Sequence, residues 1–402
     1  MNRWVVAAAA VVMQVGLGSY YAWSVFREPL SSLYGAGITG VNTAFFLASV
    51  TFSFAALGAG FWMRRVSPRV VGVAGGSLYG MGVFLSSFAE HLPMLYLTYG
   101  LIAGIGLGFG YIAPVVTLPR WFPDRPGLAY GIAVCGFGAG SAINVPIITT
   151  LMPLTGGPLP TFGVLGVAYA VLVGGAASFM KDPPEDRKLG GRELPGRENG
   201  EAAPAPAWDL SGALKTRQWY ALWAMFFLNT TAGLAIISDA KAMAASIGGG
   251  TAALASAFVV IVAVADTTGR LFWPTLSDKI GQNSVFVVMF LLQALMFLLL
   301  PLLGAGSFVM FSVLSFVVLT CYGGGYGTMP AFADAYYGSK DVGTIYASLI
   351  TATGVAGFGA PFLLAYSADA TGSYGPALYF TAALMLVSAA IPLAIRPPKP
   401  PR

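Results

Sequence analysis

Apolar residues arrive along this chain in twelve long runs separated by short polar stretches. A helix needs roughly 20 apolar residues to cross about 30 Å of hydrocarbon. By that measure the pattern predicts membrane helices at 4–26, 41–63, 70–89, 94–118, 127–151 and 161–180, then at 219–239, 252–276, 284–302, 308–332, 342–366 and 377–395. Between the sixth and seventh runs lies 181–218, the only long stretch rich in charge, proline and glycine, which reads as a linker. The predicted fold is therefore an all-α membrane protein: twelve transmembrane helices in two six-helix bundles, 1–180 and 219–402, joined by a linker at 181–218.

Composition excludes the soluble alternative. Apolar residues make up 56% of the chain, charged residues only 9%, and the mean hydropathy is +0.74, whereas a soluble domain carries about 25% charge. The net charge of +5 is topogenic, and no nucleic-acid partner is implied. With the N-terminus inside, eighteen of the twenty-one basic residues fall on the cytoplasmic side. Only Arg27 and Lys241 fall outside, and Arg270 lies within the membrane. The lipid bilayer is thus an obligatory partner, both termini are expected in the cytoplasm, and a monomer is consistent with the sequence. The first run follows Arg3 and spans a full bilayer without a small-residue cleavage site, so it reads as a retained helix rather than a signal peptide. Cys135 and Cys321 stand alone in separate helices, and the single histidine, His91, falls in a loop. Neither a metal centre nor another cofactor is expected.

The two halves echo one another at an offset of 216 residues: Pro114 with Pro330, Gly127 with Gly343, Tyr130 with Tyr346, Gly138 with Gly354, and Trp121 with Tyr337. Duplicated halves around a midplane site are how secondary transporters achieve alternating access, and the 52 glycines suit helices that pack closely and slide. The chemistry concentrates in the eighth run, where Asp266 and Arg270 interrupt apolar sequence. A guanidinium at mid-bilayer costs about 2.5 to 17 kcal/mol depending on the reference state, so it faces protein or water and marks a substrate or ion path. At a spacing of four residues the two side chains share one helix face. An ionised Asp266 neutralises Arg270 in the empty protein, and protonating it releases the arginine for an anion. The structural alternative is a permanent ion pair.

Several motifs carry a family resemblance. Ser277-Asp278-Lys279-Ile280-Gly281 resembles the second-half loop signature of the major facilitator superfamily. The first-half copy from Gly60 to Arg69 keeps the glycine and basic positions but has Arg64 where the family has an acid, which argues against the usual charge lock there. Tyr21-Ala22-Trp23-Ser24-Val25-Phe26, Arg120-Trp121-Phe122-Pro123-Asp124 leading into Gly127-Leu128-Ala129-Tyr130-Gly131, and Asp266-x-x-x-Arg270 are similar to monocarboxylate transporters and oxalate:formate antiporters. The resemblance implies a major facilitator fold and assigns Arg270 to the substrate carboxylate, a role that suits its planar fork of donors. Asp266 becomes the proton-coupling residue, and the partners are a small carboxylate and a proton. Oxalate carriers add a lysine in helix 11, where this chain has Thr351, and animal members add one in helix 1, which here has none between Arg3 and Arg27. One buried cation fits a monocarboxylate such as lactate or pyruvate.

Tyr20, Tyr111, Tyr322 and Tyr326 are candidates to complete the substrate site, Tyr111 and Tyr322 resembling binding positions of bacterial relatives; helix packing is the alternative role for each. Asn144 and Asn229 read as interhelical glue, Asp239 and Lys241 as an interfacial pair, and Asp334 as a structural acid beside the loop. A membrane enzyme would need converging nucleophiles, metals or paired acids, and only Asp266 is clearly a buried acid. A channel or sensor could use a buried arginine, yet the duplication favours a carrier. Within carriers the alternative to proton symport is anion exchange.

Overall fold

The computed structural model describes residues 2–183, 208–238 and 240–399. Twelve long helices follow in chain order: α1 Arg3–Val25, α2 Ile38–Trp62, α3 Pro68–Phe88, α4 Leu92–Trp121, α5 Pro126–Thr155, α6 Pro158–Ala177, α7 Arg217–Ile237, α8 Ala252–Ile280, α9 Gln282–Leu303, α10 Phe308–Tyr337, α11 Val342–Thr371 and α12 Gly375–Ala394. Each coincides with a predicted apolar run to within a few residues. The helices α8, α10 and α11 outlast their runs, because turns that have left the hydrocarbon tolerate residues such as Ser277, Asp278 and Lys279. The middle of the predicted linker (184–207) and Asp239 lie outside the described residues, as does the side chain of Lys241.

Two helices are not wound as a plain apolar pattern predicts. The last stretch of α1, Gly18–Val25, is a 3-10 helix, and Tyr96–Ala103 of α4 is π-wound. At Gly18 the α1 backbone meets α5 directly, and a Cβ there would lie 2.9 Å from Gly140 Cα. Glycine does the same work inside the first half, where α3 wedges between α4 and α6. A Cβ on Gly76 would sit 2.6 Å from the Gly174 nitrogen, and one on Gly80 2.6 Å from Ala170 Cα. Such spacing brings helices together by backbone contact and dispersion, which is what holds them when lipid supplies no hydrophobic drive.

The halves meet along two seams, α2 on α11 and α5 on α8. Both seams are closed at the end where α2 and α8 finish and α5 and α11 begin. Asp278, just past the lipid-spanning part of α8, accepts from the first free N–H groups of α5: Gly127 N at 2.8 Å and Leu128 N at 3.1 Å. A carboxylate at a helix N-terminus is favoured by both the unpaired N–H groups and the helix dipole. On the other seam Arg64 grips Asp341 through two donors of one guanidinium edge, Nε lying 2.9 Å from Oδ1 and Nη2 bonding Oδ2. The missing acid at position 64 therefore does not leave this loop unlocked. The polarity is exchanged: the arginine comes from the loop after α2 and the acid from the start of α11.

The described end of the linker is docked at the same place. Trp208 N donates to the Tyr337 carbonyl at 3.2 Å, Leu210 N donates to the same Asp341 at 3.2 Å, and the Thr216 and Tyr337 hydroxyls bond at 2.7 Å.

Because Arg64 is half-exposed, screening limits the worth of this pair to about 1 kcal/mol, a factor of about five in an equilibrium. Arg64→Glu is therefore expected to shift the closed end toward opening by roughly that factor, and Arg64→Glu with Asp341→Arg to restore it. Distances between spin labels placed across this end measure both; an unchanged distance distribution in the single variant would remove the lock.

Candidate functional site

Asp266 and Arg270 lie one turn apart on α8, both buried, and Arg270 has no exposed surface at all. Arg270 Nε donates to Asp266 Oδ1 at 2.9 Å, and Nη1 reaches the Val134 carbonyl of α5 at 3.5 Å. Nη2 has no hydrogen-bond partner among the described residues. The guanidinium carbon lies 4.6 Å from the ring centre of Tyr326 and 5.6 Å from that of Phe137. A guanidinium carries five donors. Here the ion pair engages one edge, aromatic faces support the plane, and the Nη edge keeps donors to spend.

Four glycines hold this turn of α8 from two sides. On α5, a Cβ at Gly138 would lie 2.8 Å from Asp266 Oδ2, and one at Gly131 2.7 Å from the Arg270 carbonyl. On α10, a Cβ at Gly323 would lie 2.5 Å from Asp266 Oδ1, and one at Gly327 2.6 Å from the same Arg270 carbonyl. That carbonyl receives no helical N–H, because Pro274 stands four residues on. Since α5 belongs to the first half and α10 to the second, the charged turn is clasped between the halves.

The tyrosines divide into two groups. Tyr326 lies under the guanidinium, packed edge-on against Tyr322 and Phe226. Tyr111 of α4 lies within electrostatic reach of Arg270, and its hydroxyl bonds that of Tyr346 on α11 at 3.2 Å. Tyr322 bonds Tyr21 of α1, hydroxyl to hydroxyl, at 3.1 Å. Tyr20 turns away: it stacks on Phe45 of α2, and its hydroxyl bonds Ser49 and the Phe45 carbonyl. The structure thus brings Tyr111, Tyr322 and Tyr326 to the Arg270 region and leaves Tyr20 facing α2.

Sequence reasoning missed Tyr21, Tyr346 and Phe137. Tyr21 was hidden by the 3-10 winding that begins at Gly18. Three residues at about 120° rather than 100° each rotate Tyr21 by roughly 60° relative to a continued α-helix, and its hydroxyl meets that of Tyr322. Tyr346 carried a signal, since it pairs with Tyr130 across the repeat.

The buried amides bind helices together. Asn144 donates to the Val15 carbonyl at 3.1 Å and accepts from Tyr169 at 2.9 Å. Asn229 donates to the Tyr322 carbonyl at 3.2 Å and accepts from Gln293 at 3.2 Å. Thr351 accepts from Trp223 Nε1 at 3.0 Å. Asp334 accepts from Ser339 at 2.7 Å, beside the loop.

The model of the Major Facilitator Superfamily matches residues 8–361. The chain belongs to this superfamily. It is 27% identical to the oxalate:formate antiporter of Oxalobacter formigenes, over 88% of this chain and 82% of that one. It is 24% identical to the apicoplast pyruvate carrier 1 of Toxoplasma gondii, over 83% of this chain and 71% of that one. Among solved structures it is similar to FucP of E. coli in the outward conformation, with a TM-score of 0.72 at 15% identity, covering 96% of this chain and 97% of that one. The protein is a multi-pass membrane transporter with the major facilitator fold.

The clasp makes the transporter intolerant of a single methyl group. Gly323→Ala is expected to lose about 1–3 kcal/mol of stability, the usual range for overpacking. Gly58→Ala, where a Cβ meets nothing within 4 Å, is expected to be neutral or to gain up to about 1 kcal/mol. Thermal unfolding in detergent compares them; equal midpoints would mean that helix packing at Asp266 is loose.

Proposed function

We propose that this transporter carries a small monocarboxylate of the lactate or pyruvate type together with a proton, by alternating access across a bacterial inner membrane with both termini in the cytoplasm. The moving parts are the halves 1–180 and 219–402, linked by 181–218. The observation that carries the reading is the unpaired Nη2 of a fully buried Arg270 whose charge is balanced by Asp266. A carboxylate fits the open edge of the fork. Adding it leaves two negative charges against one positive charge in a desolvated site, and a proton on Asp266 restores neutrality. Proton and anion then cross without net charge.

Tyr326 supports the guanidinium plane, while Tyr111 and Tyr322 present hydroxyls for the second carboxylate oxygen or a 2-hydroxyl. Tyr20 contributes by fixing α1 on α2. Among the described residues Arg270 is the one fully buried cation, and Thr351 is an uncharged residue engaged with Trp223. That favours one carboxylate over two, and the likeness to a pyruvate carrier supports the same size class. The likeness to an oxalate:formate antiporter favours a second reading, anion exchange with Asp266 as a fixed counter-ion.

Uptake of radiolabelled L-lactate into proteoliposomes separates them. An inward proton gradient alone is expected to drive uptake in the wild type, whereas exchange requires anion loaded inside. Arg270→Lys is expected to lower uptake roughly ten- to hundred-fold, the worth of hydrogen bonds to a charged group. Asp266→Asn is expected to keep lactate binding and lose the gradient dependence. Normal uptake by Arg270→Lys would move the substrate elsewhere.

A further inference from the structure

A second proton in this region has its direction fixed by a proline. Tyr326 on α10 is followed four residues later by Pro330, so its carbonyl receives no α-helical N–H. The Tyr346 hydroxyl of α11 lies 3.3 Å from that carbonyl and 3.2 Å from the Tyr111 hydroxyl of α4. A carbonyl only accepts, and leaving it buried without a donor is costly. A tyrosine has one hydroxyl proton, so that of Tyr346 is committed to the Tyr326 carbonyl. The bond between the two tyrosines is then donated by Tyr111.

On its other side Tyr111 faces Arg270, which offers donors only. A carboxylate is an acceptor only. To bond one, Tyr111 must withdraw its proton from Tyr346, and that bond joins α4 of the first half to α11 of the second. Among the described residues no hydrogen bond to a carbonyl fixes the direction of the Tyr21–Tyr322 pair in this way.

We propose that Tyr346 is a positioning residue that holds the Tyr111 proton while the transporter is empty, and that a carboxylate at Arg270 takes over this proton and thereby releases one tie between the halves. The inference rests on the substrate site described under the proposed function. It makes occupancy and separation of the halves parts of one exchange of hydrogen bonds.

Equilibrium binding of radiolabelled L-lactate to the purified full chain tests it, alongside transport kinetics. Tyr346→Phe removes the acceptor and frees Tyr111, so lactate is expected to bind about 2- to 12-fold tighter, the worth of one hydrogen bond, while maximal transport falls. Pro330→Ala returns an N–H to the Tyr326 carbonyl and frees Tyr346 to donate, so it too is expected to tighten binding; it serves if Tyr346→Phe fails to fold. Tyr111→Phe weakens binding, and in that background Tyr346→Phe is expected to change nothing. Unchanged or weaker binding by folded Tyr346→Phe overturns the proposal, as does tightening that persists without the Tyr111 hydroxyl. Arg270→Lys tells the two failures apart. If it binds lactate as the wild type does, the substrate site falls and this proposal with it; if it loses binding while Tyr346→Phe has no effect, only the role of Tyr346 falls.

Discussion

A charge with no exposed surface sets the terms for the rest of this molecule. Arg270 cannot sit inside a membrane protein without an anion, a set of acceptors or an aromatic face nearby, and the structure provides all three in incomplete form. Asp266 takes one donor, the Val134 carbonyl takes another at long range, and Tyr326 and Phe137 lie beside the guanidinium plane. A fully satisfied guanidinium would be a structural strut; the unpaired Nη2 is the donor to which the proposed function assigns the substrate carboxylate. Gly131, Gly138, Gly323 and Gly327 are the counterpart of this choice, since any side chain there would push the ion pair out of its place between the halves.

The second constraint is that the halves must hold together strongly enough to close and weakly enough to part. At the closed end the ties are polar and few: Asp278 on the N–H groups of α5, and Arg64 on Asp341. Both are interactions that water replaces at small net cost, unlike an apolar seam of the same area. Asp341 is shared with the linker through Leu210 N, so the chain between the halves is tied to the same carboxylate that meets the first half. At the level of the site the ties are hydroxyl pairs, Tyr21 with Tyr322 and Tyr111 with Tyr346. On the proposed function Tyr111 can exchange its partner for a substrate oxygen without leaving Tyr346 unpaired, since Tyr346 still donates to the Tyr326 carbonyl.

Much of this was legible in the sequence because bilayer thickness imposes a length on every helix. Twelve apolar runs become twelve helices, and a lone Asp-Arg turn in one of them identifies the charged centre before any coordinates are considered. The oppositely charged lock was not legible: Arg64 looked like the loss of a family acid, and only the fold brings Asp341 to it across the interface. Tyr20 was a candidate by residue type and helix alone; that it faces α2 while Tyr21 meets Tyr322 follows from the 3-10 winding that begins at Gly18. The bond from Tyr346 to an orphaned carbonyl needs the three-dimensional meeting of α10 and α11, although Pro330 announced that such a carbonyl would exist. Hydrophobic pattern thus specifies which residues are buried, while the partner of each buried polar atom is a property of tertiary structure.

The central claim is that the site tolerates an added carboxylate only by neutralising Asp266. Calorimetric titration of L-lactate into the purified transporter, in buffers of different ionisation enthalpy at one pH, counts the protons exchanged with solvent on binding. The account predicts that each lactate anion bound takes up about one proton, as required to keep a desolvated site neutral. Binding with no proton uptake would contradict it and make Asp266 a permanent counter-ion.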